Sequence, residues 1–393
     1  MNCNACGSPT VDQVLSLPDY PLNSVYVNAA EARRTDRYQP RDFSLHTCGK
    51  CGLFQADSAV ELTELYTDDY AYNTQNAGVQ GRIGFFLSQL KPLEGMKFNR
   101  VIDVGCFDLS LLKAVKQRIS ANHFIGIDPS TPLESLDNEE GIICLKDYVD
   151  NVDLPYFNAN IPDLVVSDQT FEHIPTISST LSNIVRKTSR NSVFAVCVPS
   201  LEVLIEKLTF HNLIHEHVNY FSISALNNLC ELSGLALKSY TLNYVSTCGF
   251  LLGIFEKSDV SSSGLTVHAK KIDKEQFLRG YDMFGSLLSR TTSMVTQLQN
   301  ERIYGLGASD ITANLAYFMK SDLSFLTSII DDTPYKQGKF IPSLKPEIIS
   351  QDAAEDLSDS NCLITAPQAG RYIYARANDF KFKRIINPIG LIA

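Results

Sequence analysis

The stretch from Val101 to Leu112, VIDVGCFDLSLL, limits the possible folds of this chain more than any other. Apolar and β-branched residues lead into Gly105. Asp108 and Ser110 follow, and apolar positions resume at helical spacing with Leu111, Leu112 and Val115. That order reads as strand, tight turn and helix. The next apolar run, His123 to Ile127, ends at Asp128. An acid at that remove from a glycine turn is where doubly wound α/β folds hold ribose hydroxyls, so the pair predicts a nucleoside crevice on a βαβ unit.

Two features point that crevice towards S-adenosylmethionine rather than a dinucleotide. A pyrophosphate needs several glycines so that backbone amides can approach it, and this turn carries Phe107 and Leu109 instead. Asp103, within the strand, suits a ligand bearing an ammonium and a sulfonium. Downstream, Asp163 to Ser167 reads as another buried strand opening into Asp168, Gln169, Phe171, Glu172 and His173. Ligands of open sheets sit outside the carboxyl ends of the strands. Asp103, Gly105, Asp108, Asp128, Asp168 and Gln169 should therefore line one crevice, with Asp147 and Tyr148 beside the adenine.

At 393 residues the chain exceeds one modest core and should hold two or three domains. A net charge of -10 without any Lys/Arg run argues against nucleic acid as a partner. No apolar stretch reaches the ~18 residues of a membrane span, so none is expected. The start, MNCNACGSPT, has neither the basic beginning nor the apolar segment of a secretory signal, which predicts a cytoplasmic protein. Cysteines in that compartment point to metal or buried thiols rather than disulfides. Cys3 and Cys6 form one C-x-x-C-G, Cys48 and Cys51 another. Two such knuckles supply the four thiolates of a closed, structural zinc site, the alternative being a redox pair. Zinc would staple a segment of 1–75 that looks too polar to build a core alone.

Polar tyrosines follow, Tyr70 and Tyr72 among them, as seam packing or ligand contacts. Gly81 to Leu90 reads as a helix. Strands are expected at 101–104, 123–127, 141–145, 163–167, 192–198, 236–243 and 249–256, the last two as an antiparallel edge hairpin on a mostly parallel sheet. This cofactor domain would occupy 76–257. Within it lies NLIHEHVNYFS, Asn212 to Ser222. If extended, His215 and His217 share a face opposite Glu216; in a loop all three converge. A metal reading lacks a third ligand nearby in sequence, and catalysis by at least one of the three is the preferred reading over a structural histidine. A Ser/Thr-rich linker, Ser258 to Thr266, and a long amphipathic helix with Phe277, Tyr281, Phe284, Leu288, Val295 and Leu298 would span 258–300. The last domain, 301–393, opens with RIYGLGASDITANLA, again strand, glycine turn and helix, and a strand from Phe325 to Ile330 runs into Asp331. The interval from Gly307 to Asp331 matches that from Gly105 to Asp128 to within one residue, so the halves look like two copies of one plan. Gly307 and Ser309 with Lys336 would suit phosphate, the alternative being a purely structural Rossmann half. The expected class is thus α/β: a small zinc domain, a central doubly wound Rossmann-like methyltransferase domain, and a second Rossmann-like domain.

Taken in order, the two knuckles, the FEHIP and IHEHVNYFS stretches, and the GxGAS and KQGKF segments make the chain resemble the sugar C-methyltransferases that act on nucleotide-linked keto-deoxysugars. The resemblance covers essentially the full length. It implies a C-terminal domain that helps hold the nucleotide-sugar, and a dTDP-4-keto-6-deoxyhexose methylated at C-3. By resemblance His173, Glu216 and His217 match active-site positions, while Ile214 stands where the family usually has tyrosine and Phe107 and Leu109 stand where its turn has small residues.

The expected mechanism removes the proton at C-3 with His217, holds the C-4 oxyanion with His173 or a tyrosine such as Tyr72, and orients a histidine or a sugar hydroxyl with Glu216. Tyr70, His215, Gly307, Ser309, Asp331 and Lys336 are the expected substrate contacts, and a monomer the expected state. Competing readings are an NAD-dependent oxidoreductase or epimerase of nucleotide-sugars, and a non-catalytic, zinc-stapled nucleotide-sugar binder.

Overall fold

The computed structural model describes residues 1–23, 25–31, 38–58, 60, 77–132, 141–245, 249–257, 271–298 and 300–389. In chain order these give β1 (Val11–Tyr20), β2 (Arg41–Cys48), β3 (Phe54–Ser58), α1 (Ala77–Leu90), β4 (Lys97–Val104), α2 (Ser110–Lys116), β5 (Ser120–Ile127) and β6 (Ile142–Leu145). There follow β7 (Leu164–Asp168), α3 (Ile177–Arg186), β8 (Val193–Pro199), α4 (Leu201–Glu206), β9 (Asn219–Tyr220), α5 (Ile223–Leu232), β10 (Leu235–Asn243) and β11 (Phe250–Lys257). The last part holds α6 (Lys274–Gln297), β12 (Ile303–Leu306), α7 (Thr312–Phe318), β13 (Ile329–Ile330), β14 (Ile348–Ile349), β15 (Asn361–Ile364), α8 (Gly370–Asp379) and β16 (Arg384–Ile386). No helix among the described residues is long and apolar enough to cross a membrane.

The middle sheet has seven strands in the order β10-β11-β8-β7-β4-β5-β6. Its pairs are parallel except that β11 runs against both β8 and β10, which is the edge hairpin expected from the sequence. Strand β4 is central, and from Phe98 onward every residue of it is buried. Such a strand is apolar on both faces because helices cover both sides of a parallel sheet. Its buried cation, Arg100, donates from Nε and Nη2 to the two carboxylate oxygens of Asp163, at 3.0 and 2.7 Å. Buried guanidinium and buried carboxylate are thus paired in two-pronged geometry, which removes the cost of leaving either alone.

The third sheet, β14-β13-β12-β15-β16, is wholly parallel. Its second strand is shorter than the sequence suggests: Phe325 to Ser328 lies outside β13. Leu323 adopts φ +56, its carbonyl accepts from Leu326 N at 2.9 Å, and Asp322 Oδ1 accepts from Ser324 N at 3.0 Å. A local turn therefore takes the backbone groups that a strand would have used.

The N-terminal sheet departs most from expectation. Its order is β1-β2-β3-β9, so its fourth strand comes from the HEHVNYFS stretch of the middle domain, with Phe54 opposite Tyr220 and Gln55 opposite Asn219. Nor does this segment lack apolar mass: Leu17, Tyr20, Phe43, Leu45 and Phe54 share one core with Phe277, Phe284 and Leu288 of α6 and with Ala313 and Leu315 of α7. The polar look of the segment arose because its core is borrowed from other domains. The bridging helix itself matches the sequence pattern, starting at Asp273, whose side chain caps Gln276 N at 2.7 Å. The Ser258–Thr266 linker lies outside the described residues.

Candidate functional site

The metal centre is built from the two knuckles. In each, the glycine after the second cysteine turns back and donates to the carbonyl of the first: Gly7 N to Cys3 O at 2.9 Å and Gly52 N to Cys48 O at 3.0 Å, with φ of +67 and +81. Cys3 and Cys51 Sγ lie 3.5 Å apart, Cys6 and Cys48 Sγ 3.6 Å apart. A tetrahedron of sulfurs about 2.3 Å from zinc has edges of about 3.8 Å, so the four thiols fit the ion with almost no movement. Zinc here is structural, because four thiolates fill its coordination.

The cofactor crevice forms where β4, β5 and β7 end. Gly105 has φ +84, and a Cβ there would come within 1.9 Å of Thr170 Oγ1. The turn puts both bulky residues in left-handed backbone, Phe107 at φ +39 and Leu109 at +67, a strain the fold tolerates as Leu109 turns inward against Gly126. Phe107 N donates to Asp128 Oδ2 at 3.1 Å and Ser130 N to Oδ1 at 2.7 Å, which presents the carboxylate along the crevice. Asp103 lies at its floor, 1 % exposed, with no protein partner for either oxygen; burial and the nearby Asp168, Asp128 and Asp108 push its pKa well up. A buried, unpartnered carboxylate is what a cationic ligand would stabilise, so this cradle fits S-adenosylmethionine. Asp108 Oδ1 accepts from Ser110 N at 3.0 Å in the turn before α2, and Asp147 holds Tyr148 N at 2.7 Å beside the 60 % exposed Tyr148 ring. Asp168 is not open to a ligand in the way the sequence suggests: Arg82 Nε of α1 binds its Oδ2 at 2.7 Å, leaving Oδ1 buried and without a partner. Arg82 escaped sequence reading because it lies outside every motif. Gln169 sits at φ +56, turning the chain from β7 into the FEH segment.

A Gly105→Ala chain should bind S-adenosylhomocysteine at least about tenfold more weakly in calorimetry, since the left-handed φ alone costs about 1–2 kcal/mol before Thr170 is displaced. Unchanged affinity would show that the turn does not shape the cradle.

The acceptor end is assembled from two stretches distant in sequence. Asn219 Nδ2 donates to Phe171 O and Ile174 O at 3.0 and 2.8 Å, and Val218 N donates to Glu172 O at 2.8 Å. These bonds lay HEHV beside FEH. His173 Nδ1 donates to Glu216 O at 2.8 Å, and the His173 and His217 rings meet edge to face with centroids 4.9 Å apart. His173 keeps 24 % of its side chain open, yet its packing is dense enough to hold its pKa down to about 4; burial also holds His217 well below the ordinary range. Glu172 and Glu216 are buried with all four oxygens unpartnered, and burial pushes them up to about 8 and about 7. The crevice thus joins two neutral imidazoles and two carboxyls poised near neutrality.

The other expected substrate contacts divide. His215 faces away: it is fully buried, its Nε2 lies 3.2 Å from Tyr20 O, and it packs on Tyr20 and Phe43. The alternation of an extended segment cannot reveal that the Tyr20 face is the N-terminal core. The Gly307 turn lies close enough for the charge of Asp310 to raise Glu216, but its phosphate-like features are already engaged. Asp331 Oδ2 accepts from Ala308 N at 2.8 Å, Thr312 Oγ1 accepts from Ser309 N at 2.9 Å, and Lys336 Nζ donates to Ala308 O at 2.8 Å while lying over the Tyr26 ring. A phosphate there would meet a carboxylate where the sequence promised open amides. Tyr70 and Tyr72 lie outside the described residues.

Comparison with known proteins fits this geometry. Three family models match: "Putative zinc binding domain" over residues 3–66, "Methyltransferase domain" over 78–240 and "C-methyltransferase C-terminal domain" over 281–385. The chain is similar to C-methyltransferase NovU of Streptomyces niveus, 21% identical over 379 residues, covering 90% of this chain and 86% of that one. Among solved structures it is similar to N-methyltransferase NodS of Bradyrhizobium japonicum with S-adenosylhomocysteine, at 11% identity and TM-score 0.38, covering 50% of this chain and 96% of that one. It is also similar to the 1,6-didemethyltoxoflavin-N1-methyltransferase of Burkholderia thailandensis, at 11% identity and TM-score 0.40, covering 56% and 96%. With its sulfur knuckles and all three domain models matched in order, the chain carries a zinc-binding domain, a methyltransferase domain and a C-methyltransferase C-terminal domain, the make-up of an S-adenosylmethionine-dependent C-methyltransferase.

Proposed function

We propose that this enzyme methylates C-3 of a nucleotide-linked 4-keto-6-deoxyhexose, with dTDP as the nucleotide, through an enolate. The observation that carries the reading is the His173–His217 pair, 4.9 Å between centroids, between two buried carboxyls at the mouth of the cofactor crevice. Carbon becomes nucleophilic next to a carbonyl when its α-proton is removed and the enolate oxygen is held. A neutral imidazole suits the first task, and burial keeps both rings neutral. His217 takes the C-3 proton. His173, whose Nδ1–H is fixed on Glu216 O, keeps a lone pair on its other nitrogen and accepts from a sugar hydroxyl, while the protonated carboxyl of Glu172, raised by burial to about 8, donates to the C-4 oxygen. Glu216, raised by burial to about 7, accepts from a sugar hydroxyl and, in its ionised form, stabilises the imidazolium that forms at His217. S-adenosylmethionine, when bound over Asp103 and Asp128, supplies an electrophilic methyl on sulfur. The sugar class rests on the family resemblance of FEHIP and IHEHVNYFS. The engaged amides at Gly307 favour a nucleotide held by groups other than that turn.

The test is mass spectrometry of a dTDP-4-keto-6-deoxyhexose incubated in deuterated water with the protein and S-adenosylmethionine. One added methyl on carbon, with deuterium exchange at C-3 when the methyl donor is withheld, is the expected result. A product changed by two hydrogens, or an unchanged sugar with C-3 unexchanged, would overturn the proposal.

A further inference from the structure

The HEH stretch offered two metal-ligand types but no third ligand nearby in sequence. Folding changes the set. His215 leaves for the N-terminal core, and the FEH segment brings Glu172 and His173 to His217 instead. One ligand atom from each of these three residues lies within 4.8 Å of the others, and His173 Nε2 is 3.9 Å from Glu172 Oε1. Two further observations point to a ligand. Glu172 is completely buried, yet neither carboxylate oxygen accepts a hydrogen bond. His173 is held through Nδ1 on the Glu216 carbonyl, which orients the ring and fixes its tautomer with the Nε2 lone pair towards Glu172, as outer-shell carbonyls do for metal-bound histidines.

We infer that Glu172, His173 and His217 form a second metal site, distinct from the cysteine centre, for a divalent transition ion such as Zn²⁺ or Co²⁺. Two imidazoles and one carboxylate match that class, and not the all-oxygen shells of Ca²⁺ or Mg²⁺. Ligand atoms about 2.1 Å from such an ion sit about 3.0–3.4 Å from one another, so the cluster closes on it by shifts of about 1 Å, within reach of side-chain rotation. Three protein ligands leave coordination positions open towards the acceptor pocket. The unsatisfied Glu172 charge is offset by the ion. The site stands independently of the sugar assignment; only its consequence rests on that reading, because a bound ion occupies the His217 lone pair that would take the C-3 proton.

The test uses the full chain with its cysteine centre filled by zinc, without sugar or S-adenosylmethionine, titrated with Co²⁺. One further equivalent should bind, giving visible cobalt bands and no thiolate-to-cobalt charge-transfer band. Glu172→Gln and His217→Asn, each confirmed as folded by retained zinc and circular dichroism, should weaken that binding by about 100-fold or more, the upper end of what loss of an outer-shell partner alone causes. Absence of a second equivalent, a thiolate band accompanying it, or undiminished binding by both variants would overturn the site. Methyl transfer is read separately: if cobalt binds as described but turnover with added ion is undiminished, the base assignment of His217 fails and the metal site stands.

Discussion

Replacing Cys51 with serine is expected to abolish methyl transfer although the cysteine centre contributes no reacting atom. Losing one of four thiolates opens the zinc coordination, and structural zinc contributes folding free energy on the order of 10 kcal/mol in small zinc modules. The loss should travel along hydrogen bonds already described in part. Asn4, between the first pair of cysteines, donates from its backbone to Gln55 Oε1 at 2.9 Å and from Nδ2 to Asn219 Oδ1 at 3.0 Å. Asn219 in turn holds Phe171 and Ile174, which flank Glu172 and His173. Zinc content by elemental analysis should fall with activity, and thermal unfolding should shift down by many degrees. A zinc-free Cys51→Ser chain that retained turnover would disconnect the metal from the active site.

His217→Asn is expected to reduce turnover by about 10²-fold or more, the usual worth of a positioned general base, while S-adenosylhomocysteine affinity stays the same. Asparagine keeps a polar group of similar reach but cannot accept the C-3 proton. Pre-steady-state exchange of that proton into solvent should slow in parallel with methyl transfer. Loss of turnover with exchange intact would move His217 from proton removal to a later role, and near-normal turnover would remove it from the mechanism.

Much of the architecture is legible in the residues because its signals are local. Most of the seven middle strands carry an apolar run, and the α6 stripe repeats Phe277, Phe284, Leu288 and Val295 at helical spacing. The knuckles carry their own geometry in C-x-x-C-G. What escaped depends on contacts between distant segments. Nothing local marks Asn219–Tyr220 as the edge strand of the zinc sheet, since its partner lies far back in the chain. The Ala308 and Ser309 amides look available in sequence, and only the fold reveals Asp331 and Thr312 already bound to them. Arg82 carries no motif of its own, and Glu172, though it lies in FEHIP, shows no sign in sequence that it is buried without a hydrogen-bond partner. Their signal is a buried charge that finds its meaning only when the crevice is assembled.

The borrowed strand also bears on how the protein is made. As the ribosome releases the chain from its amino end, β3 emerges with one edge unpaired and waits for Asn219 and Tyr220. At about 5–20 residues per second that wait lasts about 10–30 s. An unpaired edge is a template for mispairing, so early occupation of the cysteine centre would protect the nascent segment until its partner arrives. Zinc scarcity during growth would then lower the yield of intact enzyme through losses during synthesis.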